Sequence, residues 1–162
     1  MFEQHSLDLA ALVLVKARAS GLKIATAESC TGGLVAAALT EIPGSSDVLD
    51  RGFVVYTNEA KVALLGVTPE LIANHGAVSA EVALAMVKGA LGHAPVQVAV
   101  AVTGIAGPSG GTPTKPVGLV HIAAARAGRQ TLNQECRFGD VGRSQVRTQS
   151  LNAALTLLLR QL

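Results

Sequence analysis

Residues 96–102 form an apolar run, interrupted only by Gln97, that limits the folds open to this chain. A strand this apolar is covered on both faces, as in sheets that carry helices on each side. Strand-like and helix-like segments alternate on either side of it, which is typical of an α/β protein. We therefore predict a three-layer α/β/α sandwich with a mixed, mostly parallel central sheet.

Capping and turn residues set the other predicted elements. Helices are predicted over residues 6–20, from the turn at 29 to 40, and over 58–66, 68–75, 79–92 and 140–162. Further strands are predicted over residues 23–27, 53–56, 119–125 and 131–137, the last two as a hairpin across Gly128.

Composition narrows the class of protein. A chain of 162 residues, 49% hydrophobic, is expected to form one domain over 1–162. Its net charge of +2 is dispersed and it has no Trp, which argues against a nucleic-acid partner. The spacing of Cys30, Cys136 and the four histidines is not that of a metal site or a disulfide framework, so we expect neither. Because free cysteines are typical of a reducing compartment, we expect a cytoplasmic location. The apolar stretch 9–15 is too short for a membrane span.

A candidate nucleophile lies where the strand over 23–27 turns into a helix. Ser29 and Cys30 are followed directly by Thr31, Gly32 and Gly33. The first N–H groups of a helix have no partner inside it, so this turn could also stabilise an oxyanion. A simple helix cap is the commoner role of a serine at such a position, and it is the alternative for Ser29. Cys30 is consistent with either a reactive thiol or a small core residue. We rank Ser29 first and Cys30 second.

A serine nucleophile needs a base, and Lys61 is the candidate. It lies just past a predicted strand end, close to Tyr56, the only tyrosine of the chain. Lysine acts as a base only when burial or neighbouring positive charge lowers its pKa from about 10.4. The alternative is a solvated lysine paired with an acid. Tyr56 could relay a proton, hold the lysine or belong to the core.

A glycine-rich loop follows the apolar strand. The loop spans residues 103–111 and includes Thr103, Gly104 and Gly107. Its glycines would allow backbone N–H groups to approach a phosphate closely. It matches neither the P-loop nor the dinucleotide-binding pattern. A flexible loop without a ligand is the alternative.

Two arginines, Arg143 and Arg147, open the last predicted helix. Basic residues are unfavourable at a helix N-terminus unless an anion binds there, so they indicate a phosphate site. Pairing with Asp140 is the alternative.

Five segments, in order along the chain, resemble the C-terminal domain of the competence/damage-inducible protein A (CinA) family. They are Ala-Glu-Ser-Cys-Thr-Gly-Gly at 27–33, Gly-Phe-Val-Val-Tyr-Thr-Asn-Glu-Ala-Lys at 52–61, Gly-Ala-Val-Ser at 76–79, Thr-Gly-Ile-Ala-Gly-Pro at 103–108 and Lys-Pro-Val-Gly at 115–118. The resemblance spans residues 6–162. It implies a nicotinamide mononucleotide deamidase, which hydrolyses the carboxamide to nicotinic acid mononucleotide and ammonia in pyridine nucleotide salvage. It also implies no metal, no cofactor and a homo-oligomer.

The resemblance also assigns roles. Ser29 becomes the nucleophile and Lys61 its base, with Ser46 and Tyr56 relaying protons or orienting the lysine. Thr103 and the loop behind it would line the substrate site.

For the nucleotide phosphate the resemblance implies an arginine at the start of the last helix. Relatives usually read Gly-Asp-Arg there, whereas this chain reads Gly-Asp-Val-Gly-Arg at 139–143. We choose Arg143, and Arg147 stays open.

Many relatives carry a further N-terminal domain that resembles molybdopterin-binding proteins. This chain is expected to be a stand-alone deamidase. Two other classes stay open: a nucleotide-binding module without catalysis, and an interaction domain for DNA uptake or repair. The second is suggested only by the family's name.

Overall fold

A mixed five-stranded sheet forms the centre of the protein, in a computed structural model that describes residues 2–162. In chain order its strands are β1 (Ile24–Glu28), β2 (Leu49–Val54), β3 (Val98–Gly104), β4 (Leu119–Arg126) and β5 (Leu132–Arg137). They are arranged in the order β2-β1-β3-β4-β5. β1 pairs in parallel with β2 and β3, and the β3–β4 and β4–β5 pairs are antiparallel. Among these five strands, β4 alone runs in the opposite direction.

Helices cover both faces of the sheet. They are α1 (Gln4–Ala19), α2 (Leu34–Thr40), α3 (Asn58–Leu65), α4 (Pro69–His75), α5 (Ala80–Gly92) and α6 (Arg143–Leu159), with a short 3-10 helix at Ser45–Asp47. α1, α2 and α6 pack on one face, and α3, α4 and α5 form the layer on the other. The predicted three-layer sandwich with a mixed sheet is confirmed.

Strand β3 shows why the sheet needs two helical layers. Successive side chains of a strand point to opposite faces. Val98, Val100 and Val102 pack in the core beneath α1 and α6, while Ala99 and Ala101 pack in the core beneath α5. Both sets are fully buried, so the strand has no face that solvent could cover.

The structure differs from the sequence predictions mainly at element ends. Ser6, predicted to cap α1, lies inside that helix, where its hydroxyl donates to Asn152 Oδ1 at 2.6 Å. β2 begins four residues before the predicted 53–56 strand and contains Gly52. A side chain at Gly52 would lie 2.9 Å from Thr26 Oγ1, so glycine permits close packing here although it is unfavourable in strands.

Two helix starts also differ. Thr57, not Asn58, caps α3, because its hydroxyl oxygen accepts a hydrogen bond from the Ala60 N–H at 3.1 Å. α6 begins at Arg143, three residues after Asp140. None of the helices in residues 2–162 has the length and apolar character that a membrane crossing requires.

The three neighbouring strands β2, β1 and β3 run in the same direction, and this arrangement creates the candidate site. The segments that follow their carboxyl ends meet at one edge of the sheet, where α/β proteins bind ligands. Ser29 follows β1, the segment 55–61 follows β2 and the glycine-rich loop follows β3.

Candidate active site

Lys61 and Ser29, the candidate base and nucleophile, meet at the carboxyl edge of the sheet. Lys61 Nζ lies 3.1 Å from Ser29 Oγ. The same nitrogen lies 3.1, 3.3 and 3.4 Å from the backbone oxygens of Val55, Tyr56 and Thr57. Lys61 is 1% exposed and Ser29 8%. Lys61 is therefore a buried side chain directed at the candidate nucleophile.

Burial lowers the pKa of the Lys61 amine below its ordinary value. Within residues 2–162 the amine belongs to no ion pair, so the solvated, acid-paired alternative is wrong. A neutral amine has two hydrogens to donate and one lone pair. The backbone oxygens can take both hydrogens, which leaves the lone pair free to accept the Ser29 O–H. This is the geometry of a serine activated by a neighbouring base.

The two side chains open into a cavity of about 340 Å³. Four predicted substrate-binding residues line it: Thr103, Gly104, Gly107 and Arg143. The loop residues Ile105, Ala106, Ser109 and Gly110 also line it, as the family resemblance implied for the segment behind Thr103. Sequence reasoning gave no role in this cavity to three further lining residues, Asn58, Ala77 and Val78. Two of these, at 77 and 78, lie in the Gly-Ala-Val-Ser segment that helped to identify the family resemblance. Their side chains carry no chemistry that could have indicated a role.

The two candidate arginines have different partners. Arg143 lines the cavity and donates to the Gly107 backbone oxygen at 2.9 Å and to the Tyr56 hydroxyl at 2.8 Å. Arg147 instead donates to the backbone oxygens of Cys30 at 3.1 Å and Thr31 at 3.0 Å. Arg143 is therefore placed to meet a ligand, whereas Arg147 holds the turn that carries the nucleophile.

Tyr56 and Ser46 do not approach Lys61 through their hydroxyl groups. The Tyr56 hydroxyl accepts from Arg143, and the residue contacts Lys61 through its backbone oxygen. Ser46 lies in the exposed 3-10 helix that precedes β2, where its backbone oxygen is 3.5 Å from Lys23 Nζ. That position is at the amino ends of the parallel strands, opposite the cavity. Within this chain, the expectation that Ser46 reaches the lysine is wrong.

The side-chain carboxylate of Glu28 binds the N–H groups at the start of α2, the position at which the sequence suggested an oxyanion. Its buried carboxylate accepts from the N–H groups of Gly33, Val35 and Ala36 at 3.1, 3.0 and 2.9 Å and from Thr26 Oγ1 at 3.1 Å.

The turn before α2 therefore offers fewer free donors than predicted. The Gly32 N–H donates to the Ser29 backbone oxygen at 3.0 Å, and the Gly33 N–H is held by Glu28. Thr31 is fully buried, its hydroxyl has no partner within residues 2–162, and it does not line the cavity. The expectation that the Gly32 and Gly33 N–H groups stabilise the oxyanion is wrong, because both already have partners. A role for the Thr31 N–H stays a prediction.

Comparison with known proteins places this chain in a family. The model of the CinA C-terminal domain matches residues 6–162. The chain belongs to the CinA family. A CinA-like protein of Anaeromyxobacter dehalogenans is 49% identical over 159 residues, which are 98% of this chain and 38% of that protein. A CinA-like protein of Mycolicibacterium vanbaalenii is 52% identical over 143 residues, 88% of this chain and 34% of that protein. The chain thus spans little more than a third of these relatives' length.

Solved structures from the CinA family share the whole fold. The competence/damage inducible protein CihA from Agrobacterium tumefaciens is 49% identical with a TM-score of 0.98, over 99% of this chain and 98% of that one. A competence-damaged protein (CinA) superfamily protein from Escherichia coli is 32% identical with a TM-score of 0.92, over 100% of this chain and 94% of that one.

In this CinA domain, Cys30 is a poor competitor to Ser29. It is 5% exposed, and burial raises the pKa of its thiol to about 12. The thiolate is the nucleophilic form of cysteine, so this side chain is unreactive near neutral pH. Its sulfur also packs against Gly104, where an added Cβ would lie 3.1 Å from Sγ. Cys30 therefore acts as a small core residue beneath the turn.

Across residues 2–162, no three His, Cys, Asp or Glu side chains are arranged to hold an ion. Cys30 and Cys136 are both buried free thiols.

Proposed function

We propose that this CinA domain is an amidohydrolase that converts nicotinamide mononucleotide to nicotinic acid mononucleotide and ammonia. The observation that carries the proposal is the 3.1 Å contact between Lys61 Nζ and Ser29 Oγ in a buried site whose surroundings lower the lysine pKa. The nucleotide itself comes from the family resemblance.

Acylation is the first half of the proposed reaction. Ser29 Oγ attacks the carboxamide carbon while neutral Lys61 takes the hydroxyl proton. The tetrahedral intermediate then collapses, the C–N bond breaks, and Lys61 returns its proton to the nitrogen that leaves as ammonia. The product of this half is an ester between the nicotinoyl group and Ser29.

Deacylation reverses the roles. Lys61 takes a proton from a water molecule while the water oxygen attacks the ester carbon. Lys61 then gives that proton to Ser29 Oγ as the bond between Oγ and the ester carbon breaks. Nicotinic acid mononucleotide leaves as the carboxylic acid and becomes a carboxylate by giving its proton to solvent. One water is consumed and one ammonia is released in each cycle.

The oxyanion needs donors other than those of Gly32 and Gly33. Cys30 lines the cavity directly after Ser29, and we assign its backbone N–H to this role. The substrate's pyridinium ring withdraws electrons from the carboxamide, which lowers the stabilisation required. Its positive charge also favours the neutral form of Lys61.

Arg143 supports a phosphorylated substrate. Its guanidinium lines the same cavity as Ser29 and Lys61, and the planar guanidinium suits phosphate recognition. The Gly107 backbone oxygen and the Tyr56 hydroxyl hold it at the side of the cavity formed by the glycine-rich loop.

The first experiment measures ammonia and nicotinic acid mononucleotide released from nicotinamide mononucleotide, with EDTA present. We expect turnover by the parent and a loss on the order of 10³-fold or more in Ser29→Ala, because no other group replaces the nucleophile. Cys30→Ala is the matched neighbouring control and should stay within a few fold of the parent. A folded parent that releases no ammonia, or loss in Cys30→Ala with retention in Ser29→Ala, would contradict the proposal.

A further inference from the structure

Residues 76–79, which join α4 to α5, form one wall of the cavity. The two residues of this wall that line the cavity are apolar. Ala77 and Val78 line the same cavity as Ser29 and Lys61. A wall built from a loop must be held in place, because the position of a bound substrate depends on it.

Side chains donate to four consecutive backbone oxygens here, from that of His75, the last residue of α4, to that of Val78. Lys115 Nζ donates to the backbone oxygens of His75 and, at 2.8 Å, Val78. Ser79 Oγ donates to the Gly76 oxygen at 2.9 Å. The remaining oxygen, that of Ala77, accepts from Thr103 Oγ1 at 2.8 Å. Lys115 is thus the one donor that bridges both ends of the segment.

The position of Lys115 is itself constrained. Its backbone N–H donates to Thr112 Oγ1 at 3.0 Å and its backbone oxygen accepts from the Thr112 N–H at 2.7 Å, so a tight turn presents the side chain. At Gly76 an added Cβ would lie 2.7 Å from Lys115 Nζ, and φ there is +79°. A glycine at 76 is therefore what allows the ammonium group to reach the carbonyl end of α4, where a cation is favourable.

We propose that Lys115 is a positioning residue: its ammonium group fixes the wall formed by Ala77 and Val78 and so sets how tightly the substrate ring is bound. This rests on the proposed function for the identity of the substrate. Lys115 does not line the cavity and acts through the wall.

The test compares Lys115→Met and Lys115→Arg with Lys88→Met, a control at an exposed lysine of α5. In Lys115→Met we expect KM for nicotinamide mononucleotide to rise about tenfold, kcat to stay within about threefold, and the pH profile of kcat to be unchanged. Lys115→Arg, which keeps donors and charge, should recover much of the affinity. An unchanged KM in folded Lys115→Met, or a loss confined to kcat, would overturn the proposal.

Backbone amide hydrogen exchange tests the role of Lys115 in holding the wall independently of the amidohydrolase activity. Backbone amides of residues 76–82 should exchange faster in Lys115→Met than in the parent or in Lys88→Met. If the parent releases no ammonia but exchange accelerates, the amidohydrolase proposal fails and the role of Lys115 in holding the wall stands. Equal exchange in Lys115→Met and the parent overturns that role, whatever the activity.

Competitive acetylation of the folded parent covers the case in which Lys115→Met does not fold. Lys115 should then react more slowly than Lys88, because its nitrogen is held by two backbone oxygens. Equal rates at the two lysines would show that the contact does not form, and would overturn the proposal.

Discussion

The surroundings of Lys61 favour the uncharged amine over the ammonium form. The polar atoms nearest Nζ are backbone oxygens and the Ser29 hydroxyl, none of which carries a full negative charge. A buried ammonium without a carboxylate partner is unfavourable, since removal from water penalises the charged form. Deprotonation removes that penalty, and the resulting lone pair is available to Ser29.

A pH dependence follows from this. Only the neutral amine can take the serine proton, so kcat/KM should fall as the pH drops through the pKa of Lys61, which burial lowers from its ordinary value of about 10.4. Lys61→Arg should be inactive at every pH tested, because a guanidinium stays protonated. The measurement is kcat/KM against pH for the parent and Lys61→Arg, with Lys88→Arg as control. A flat parent profile, or turnover by Lys61→Arg, would exclude Lys61 as the base.

Arg143 and Arg147 should differ in how they affect catalysis. Arg143→Ala should raise KM for nicotinamide mononucleotide by about 10- to 100-fold and leave KM for the unphosphorylated riboside nearly unchanged, since a charge-assisted hydrogen bond contributes about 1.5–3 kcal/mol. Arg147→Ala should lower kcat for both substrates equally, because it holds the backbone of Cys30 and Thr31. Steady-state kinetics on both substrates checks this. If Arg143→Ala impairs both substrates equally, Arg143 does not bind the phosphate.

At the scale of the elements, a strand side chain organises the nucleophile turn. Glu28, the last residue of β1, accepts from three N–H groups at or next to the start of α2, so the chain must fold back through the Ser29 turn to satisfy it. These hydrogen bonds fix the angle between β1 and α2, and thereby the direction in which the Ser29 side chain points.

Glu28→Gln should destabilise the protein. The substituted amide would bring its own N–H groups toward the N–H groups of α2, and charge-assisted hydrogen bonds would be lost. We expect the free energy of unfolding to fall by about 1.5–3 kcal/mol in urea denaturation. Glu41→Gln, at the exposed C-terminal end of the same helix, should change it by less than about 0.5 kcal/mol. Equal stability of the two variants would contradict a structural role for Glu28.

Local signals explain which elements could be predicted. Thr68 and Pro69 begin α4, Gly76 ends it, and Ser79 caps α5, all as their residue types indicate. The role of Glu28 could not be read in the same way, because its partners lie five to eight residues away and depend on how the chain turns. The misplacement of Ser46 has a similar cause: the sequence does not show which end of the sheet its loop reaches.

At the scale of the whole molecule, the cavity collects segments from distant parts of the chain. The turn after β1, the segment after β2, the loop after β3 and the start of α6 all contribute lining residues. Alternating helices and strands predicted the three layers, and the motifs predicted Ser29, Lys61 and Arg143. Strand order, and the reversal of β4 against β3, depend on packing between segments and carry no local signal.

Because the site joins these segments, a bound ligand should stabilise the entire fold. Nicotinic acid mononucleotide at about a hundred times its Kd should add about 2.7 kcal/mol and raise Tm by about 5–10 °C, measured by calorimetry. Ser29→Ala should keep this shift although it loses turnover, and Arg143→Ala should lose most of it. A shift in the parent without any turnover would identify a nucleotide-binding module, whereas an undiminished shift in Arg143→Ala would show that Arg143 does not hold the phosphate.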